Sequence, residues 1–148
     1  MNNLIETIKN YDQRPSWNDY FMSFAYLTAL RSSCVRLHVG CVLVKDNRII
    51  STGYNGHLPN TPHTSIVRDN HEQMTIHAES NAIIDAAKRG VSVENSIAYV
   101  THIPCLNCLK ILVAGGIKKI IYAENYHNDD LIPIICSTSN IELIQYNK

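Results

Sequence analysis

The residues best equipped for chemistry are His77-Ala78-Glu79 and, further along the chain, Pro104-Cys105-Leu106-Asn107-Cys108. Cys105 and Cys108 are spaced i, i+3, so at the start of a helix their sulfurs share a face. The N–H groups at a helix start favour an anion and lower the pKa of a thiol. The thiolate is the form a metal binds. A neutral imidazole from His77 completes a set of three soft-to-borderline ligands suited to zinc. Three protein ligands leave a fourth tetrahedral position for water, which is the pattern of a catalytic site, whereas structural zinc normally takes four. Such an ion brings the pKa of water down to roughly 7. Glu79, two residues past His77, lies beside the metal without ligating it and is placed to move protons. Taken alone, a C-x-x-C pair fits a redox couple or a packing accident equally well, and an H-x-E triplet carries little. Their combination, each at a helix start and in this order, carries the inference.

These residues need elements to position them. Ser16-Trp17-Asn18-Asp19 reads as a capping box, and Trp17, Phe21, Phe24 and Thr28 continue at helical spacing, predicting a helix over 17–32. The segment 1–15 before it reads as a loosely attached arm. Two strands follow, 39–44 and 48–53, joined by the short turn Lys45-Asp46-Asn47. From 53 to 75 the chain is rich in Gly, Pro, Asn and His and reads as a long polar loop. A small-residue stripe of Ala78, Ala82 and Ala86 marks a helix over 77–89, with Gly90 just past its end. A strand is expected at 97–101. Pro104 suits the first turn of the next helix, which Gly115-Gly116 stops. A strand at 118–123, a short helix at 129–137 with Pro133 either in its first turn or kinking it, and a last strand at 141–146 complete the chain. Strands alternating with helices after an opening hairpin predict an α/β fold, a three-layer α/β/α sandwich with a mixed five-stranded sheet. The 148 residues fit a single domain.

The formal net charge is zero, with 13 basic and 13 acidic residues, which argues against a long nucleic-acid polymer as partner. It leaves room for one phosphate in a local basic pocket. No run is long and apolar enough for a membrane span, and the first twelve residues lack the apolar stretch of a signal peptide. The expectation is therefore a cytoplasmic protein with reduced thiols. Its five cysteines (34, 41, 105, 108 and 136) are an odd number, and the close 105/108 pair points to metal chemistry over a disulfide framework. Cys34, Cys41 and Cys136 read as buried small apolar residues.

H-x-E followed by P-C-x-x-C is the signature of zinc-dependent deaminases. On it, the chain resembles the cytidine and deoxycytidylate deaminase superfamily from about Trp17 to Tyr146. Trp17 to Met22 (WNDYFM), Ala29 to Ser32 (ALRS), Gly53 to Gly56 (GYNG), His77 to Ala82 (HAESNA), Tyr99 to Thr101 (YVT), Ala114 to Lys118 (AGGIK) and Tyr126-His127 are similar to the deoxycytidylate branch. The resemblance implies a cytidine deaminase-like fold and hydrolysis of dCMP to dUMP, the precursor for thymidylate synthesis, with release of ammonia. It implies one catalytic zinc on His77, Cys105 and Cys108, with Glu79 as base and then acid. Substrate contacts carried over are Arg31 on the 5′-phosphate, Asn55, Ala78 and Tyr126. A homohexamer regulated by dCTP and dTTP is also implied, with Tyr54, Asn55 and Gly56 as effector contacts.

The sequence departs from the family in one region. Many relatives bind a second, structural zinc through cysteines and a histidine in the loop before H-x-E. Here 53–76 is shortened and holds no cysteine, only His57, His63 and His71. That argues against a second zinc and bears equally on the effector site, which the same loop shapes. His102, just before the Pro-Cys motif, fits either the pocket lining or plain packing. The zinc motif is shared with deaminases of cytidine, guanine, dCTP and tRNA adenosine; GYNG, WNDYFM and Arg31 favour a nucleotide. A non-catalytic zinc or nucleotide-sensing module is the other class, and Glu79 speaks against it.

Overall fold

The computed structural model describes residues 3–126 and 128–147. His127, one of the residues that resemble the family, lies outside them.

Segment 1–15 is not wholly irregular: it contains a short helix, α1 (Leu4–Lys9), capped by the Asn3 side chain and with no buried residue. Helix α2 (Trp17–Ala29) starts as the capping box predicts. The backbone N–H of Asp19 donates to Ser16 Oγ at 3.1 Å, and the Ser16 hydroxyl donates to Asp19 Oδ2 at 2.7 Å. The helix ends three residues earlier than its periodicity suggested, because Ser32 turns its hydroxyl to the carbonyl oxygen and side chain of Asn55 at 2.6 and 2.7 Å. That side-chain bond competes with continuing the helix.

Strands β1 (Gly40–Lys45) and β2 (Arg48–Tyr54) form an antiparallel hairpin. Asp46 and Asn47 both take positive φ, 51° and 57°, the geometry that a tight two-residue turn demands. The stretch after β2, expected as a loop, is instead pinned by two miniature ribbons. β3 (Gly56–His57) pairs with β6 (Thr75–Ile76), and β4 (Val67–Arg68) pairs with β5 (His71–Glu72). Periodicity cannot reveal strands of two residues. Helix α3 (Ala78–Lys88) follows, then β7 (Ile97–His102), α4 (Leu106–Ala114), β8 (Lys119–Glu124), α5 (Leu131–Thr138) and β9 (Glu142–Gln145). Pro104 lies just ahead of α4, whose N-cap is Cys105, and not in its first turn.

The sheet order is β2-β1-β7-β8-β9. β1 runs antiparallel to β2 and β7, whereas β7, β8 and β9 are mutually parallel. Successive side chains point to opposite faces. Cys41, Leu43, Ala98, Val100 and Ile120 meet Ala78, Ala82, Leu109, Leu112 and Ile132 of α3, α4 and α5. On the other face Val42, Val44, Tyr99 and Ile121 meet Phe21, Met22 and Ala25 of α2. The result is the mixed five-stranded, three-layer α/β/α fold. Two close approaches set its layers. A Cβ on Gly40 would lie 2.0 Å from the Ala25 carbonyl oxygen, and one on Gly53 would lie 2.2 Å from the Ala78 carbonyl oxygen and 2.3 Å from the Ala82 nitrogen. Only glycine lets α2 and α3 sit this close to the sheet.

Register collects chemistry at one edge. Because Cys41 pairs with Val100 and Gly40 with Tyr54, the start of β1 and the end of β2 adjoin the end of β7. The parallel strands β7 and β8 also end there, delivering Cys105 and Tyr126, as expected where parallel strands present ligand sites at their carboxyl ends.

Candidate metal and catalytic site

His77 is the N-cap of α3, yet its ring makes no capping hydrogen bond. The imidazole is free to face α4. Its Nδ1 stands 3.6 Å from Cys105 Sγ and 3.4 Å from Cys108 Sγ, and the three ligand atoms all lie within 4.8 Å of one another. A tetrahedral zinc with bonds of about 2.3 Å to sulfur and about 2.0 Å to nitrogen would hold such atoms roughly 3.5 Å apart, so the donor set fits the ion in both kind and spacing.

Cys105, the N-cap of α4, is half-buried, and Cys108 is 2% exposed. The two thiols share one field. A hydrogen bond from Cys108, with His77 adding, holds Cys105 well below the usual thiol range, while contact with Cys105 and burial push Cys108 upward. A divalent ion would remove that competition and favour both thiolates.

Glu79 is 4% exposed. Burial lifts its carboxyl above the ordinary range; the charge of Cys105 adds to this and His77 works against it. A carboxyl lifted by desolvation beside an ion site is suited to shuttling a proton near neutral pH. Cys41, fully buried in β1, is also raised by burial and by the charge of Glu79. It and Cys34 pack as small apolar residues; Cys136 is only half-buried.

The other predicted residues divide. Tyr126, 45% exposed, lies within the field of the cluster: partial burial, together with the charges of Cys105, Glu79 and Cys108, pushes its phenol up to about 12. Ala78 is 1% exposed as a whole residue, packed into the core under β2. Arg31 is exposed beyond α2 and makes no side-chain hydrogen bond or ion pair among the described residues. Tyr54 is half-buried, its carbonyl oxygen accepting from Asn81 Nδ2 at 2.9 Å, and Gly56 is buried against the Tyr54 ring. Asn55, 8% exposed, spends its side chain on the protein: Oδ1 accepts from the Val39 N–H at 2.8 Å and from Ser32, and Nδ2 donates to the Leu37 carbonyl oxygen at 2.7 Å. His102 pairs with the Thr101 hydroxyl at 2.9 Å, and burial lowers its pKa. His57 stacks on His63 with ring centres 4.7 Å apart, and its Nδ1 meets the Ser33 hydroxyl at 3.0 Å.

Several contributing residues escaped sequence reasoning. Asn128 donates to the Pro104 carbonyl oxygen at 2.8 Å, tying the segment after β8 to the turn before Cys105. Asn81 locks α3 to the end of β2. Ser32 and Ser33 stitch the segment after α2 to residues 55–57. Ser32 and Asn81 lie within family-like segments and Ser33 and Asn128 beside them, and no spacing rule distinguishes their roles from those of solvated neighbours.

Residues 15–124 match the family described as the cytidine and deoxycytidylate deaminase zinc-binding region. ComE operon protein 2 of Bacillus subtilis is 46% identical over 118 residues, covering 77% of this chain and 62% of that protein. Deoxycytidylate deaminase of Saccharomyces cerevisiae is 36% identical over 144 residues, covering 90% of this chain and 46% of that protein. This chain thus spans from under half to about three-fifths of the length of these two curated relatives. Among solved structures, dCMP deaminase of the cyanophage S-TIM5 in complex with dCMP and dUMP superposes with a TM-score of 0.80 at 30% identity, covering 90% of this chain and 99% of that one.

Proposed function

The chain belongs to the cytidine and deoxycytidylate deaminase family that carries this zinc-binding region, and from that premise we propose that it hydrolyses dCMP to dUMP and ammonia. The observation that carries the reading is the convergence of His77 Nδ1, Cys105 Sγ and Cys108 Sγ within 4.8 Å beside the buried carboxyl of Glu79. The likeness to a structure with dCMP and dUMP bound supports the substrate.

When bound, zinc held by His77, Cys105 and Cys108 supplies the Lewis acidity that makes water nucleophilic at neutral pH. Glu79 takes the proton of the water that attacks C4 of the cytosine ring. It passes that proton to N3, then takes the remaining proton from the hydroxyl now on C4 and delivers it to the amino group, so that C4=O forms as the C4–N bond breaks and ammonia leaves. One carboxyl thus serves as base and then as acid. Burial of Glu79 keeps competing water from its oxygens. Tyr126 flanks the ring, the Ala78 backbone meets its polar edge, and Arg31 takes the 5′-phosphate with its guanidinium fork. Asn55 acts on the substrate through the segment it holds.

The same reading makes the chain a single deaminase domain assembling as a homohexamer in the cytoplasm, with dCTP and dTTP as effectors at Tyr54, Asn55 and Gly56. Family resemblance supports this part, and light scattering with and without each nucleotide tests it.

The decisive assay follows loss of cytosine absorbance with dCMP, for zinc-loaded wild type beside Glu79→Ala, with dCTP as alternative substrate and as additive. Turnover of dCMP that falls by several orders of magnitude in Glu79→Ala is expected. A zinc-loaded wild type inert on dCMP, with and without dCTP, would overturn the substrate.

A further inference from the structure

We infer that Ser80 is a positioning residue for the metal site, donating its hydroxyl proton to the sulfur of Cys108. This rests on the reading that His77, Cys105 and Cys108 hold zinc.

The two sulfurs are supplied differently. Cys105 sits at the N-cap of α4, half-exposed, where water reaches its sulfur. Cys108 stands in the first turn, 2% exposed, so water cannot solvate its sulfur. A buried anionic sulfur without a donor is costly. Ser80 meets this need: its Oγ lies 3.8 Å from Cys108 Sγ, and once the sulfur is a thiolate only the hydroxyl can donate. Serine in the first turn of a helix ordinarily turns its hydroxyl back on its own backbone. Ser80, third residue of α3, does not: Cys108 Sγ is its one side-chain partner among the described residues. α3 therefore contributes to the site three times over, with a ligand at His77, the proton carrier at Glu79 and a donor to the opposing ligand at Ser80.

The bond has two consequences. It orients Cys108 before metal arrives, and it withdraws electron density from the sulfur that ligates the ion. Outer partners of metal ligands typically contribute ten- to a hundred-fold in affinity.

The test compares wild type, Ser80→Ala and Ser80→Thr by chelator competition for zinc. It also records the thiolate-to-metal charge-transfer band of the cobalt(II)-loaded proteins at saturating metal, where affinity no longer matters. Ser80→Ala is expected to bind zinc about tenfold more weakly and to move the cobalt band to lower energy, because its sulfur lone pairs are no longer stabilised. Ser80→Thr, which keeps the hydroxyl, restores both, and the metal-free proteins share one urea midpoint. An unchanged affinity and band in Ser80→Ala overturns the proposal, as does a loss that Thr does not repair. A wild type that binds no zinc overturns the metal site as well. Inertness towards dCMP with the zinc and cobalt differences intact sinks only the proposed substrate.

Discussion

The Asn55 side chain donates to the carbonyl oxygen of Leu37 at 2.7 Å, fastening the segment between α2 and β1 to the end of β2. With Val39 N–H and Ser32 also on its Oδ1, Asn55 holds both ends of that segment. Replacing it with Ala removes three part-buried hydrogen bonds, each worth about 0.5–1.5 kcal/mol net. Asn55→Ala is expected to lose roughly 3 kcal/mol of unfolding free energy in urea. Asn55→Asp keeps the acceptor but not the donor and should fall between. A wild-type midpoint in Asn55→Ala would show that the segment is held by other means.

Gly53 and α3 offer a second test. A methyl at this position would lie 2.2 Å from the Ala78 carbonyl oxygen, a contact with backbone that no side-chain rotation relieves. Overpacking typically costs about 1–3 kcal/mol, and Gly53→Ala should reach or pass the upper end. Because the displaced helix carries His77 and Glu79, zinc affinity should fall along with the thermal midpoint. A variant that unfolds earlier but binds zinc as wild type would mean that the helix shifts without disturbing the ligands.

Metal removal should lower stability outright. An ion that binds only the folded state stabilises it by roughly 2.7 kcal/mol at a hundredfold excess over Kd. Chelation is expected to lower the thermal midpoint of wild type and to leave that of Cys108→Ser nearly unmoved, since the latter lacks a ligand thiolate. Equal shifts in both proteins would place the stabilising ion elsewhere.

Asp19 and Tyr146 predict a pH window. The Tyr146 hydroxyl donates to the Asp19 carboxylate, joining the end of the chain to the first turn of α2. That bond, with Ser16 adding, lowers Asp19 below its usual 3.8, and it raises Tyr146 from 10.0 to about 12. Folding thus favours the ionised acid and the protonated phenol. Asp19's contribution is present above 3.8 and is lost as pH falls through its lowered value. Tyr146's is present below 10.0 and lost as pH rises through about 12. The stability difference between wild type and Tyr146→Phe, followed by urea titration, should form a plateau through neutral pH and close at both extremes. A difference that persists at acid pH would assign the effect to packing of the ring.

Much of this was legible in the chain before any coordinates. Ser16 and Asp19 announced a helix start, Lys45-Asp46-Asn47 a short hairpin turn, and the Ala78/Ala82/Ala86 stripe a helix. These signals are local: capping, positive φ and periodicity depend on residues a few places apart. The cluster of His77, Cys105 and Cys108 was legible for the same reason, since each half of the motif is a short spacing at a helix start. What only the tertiary structure decided is whatever joins distant segments. The antiparallel register of β1 on β7 brings residues 54–57 and 31–39 to the edge where Cys105 and Tyr126 emerge. It turns Asn55 inward as a fastener, and the packing of α3 beside α4 sets Ser80 against Cys108. Hydrogen bonds between distant segments leave no period in a sequence, because their geometry exists only once the layers have packed.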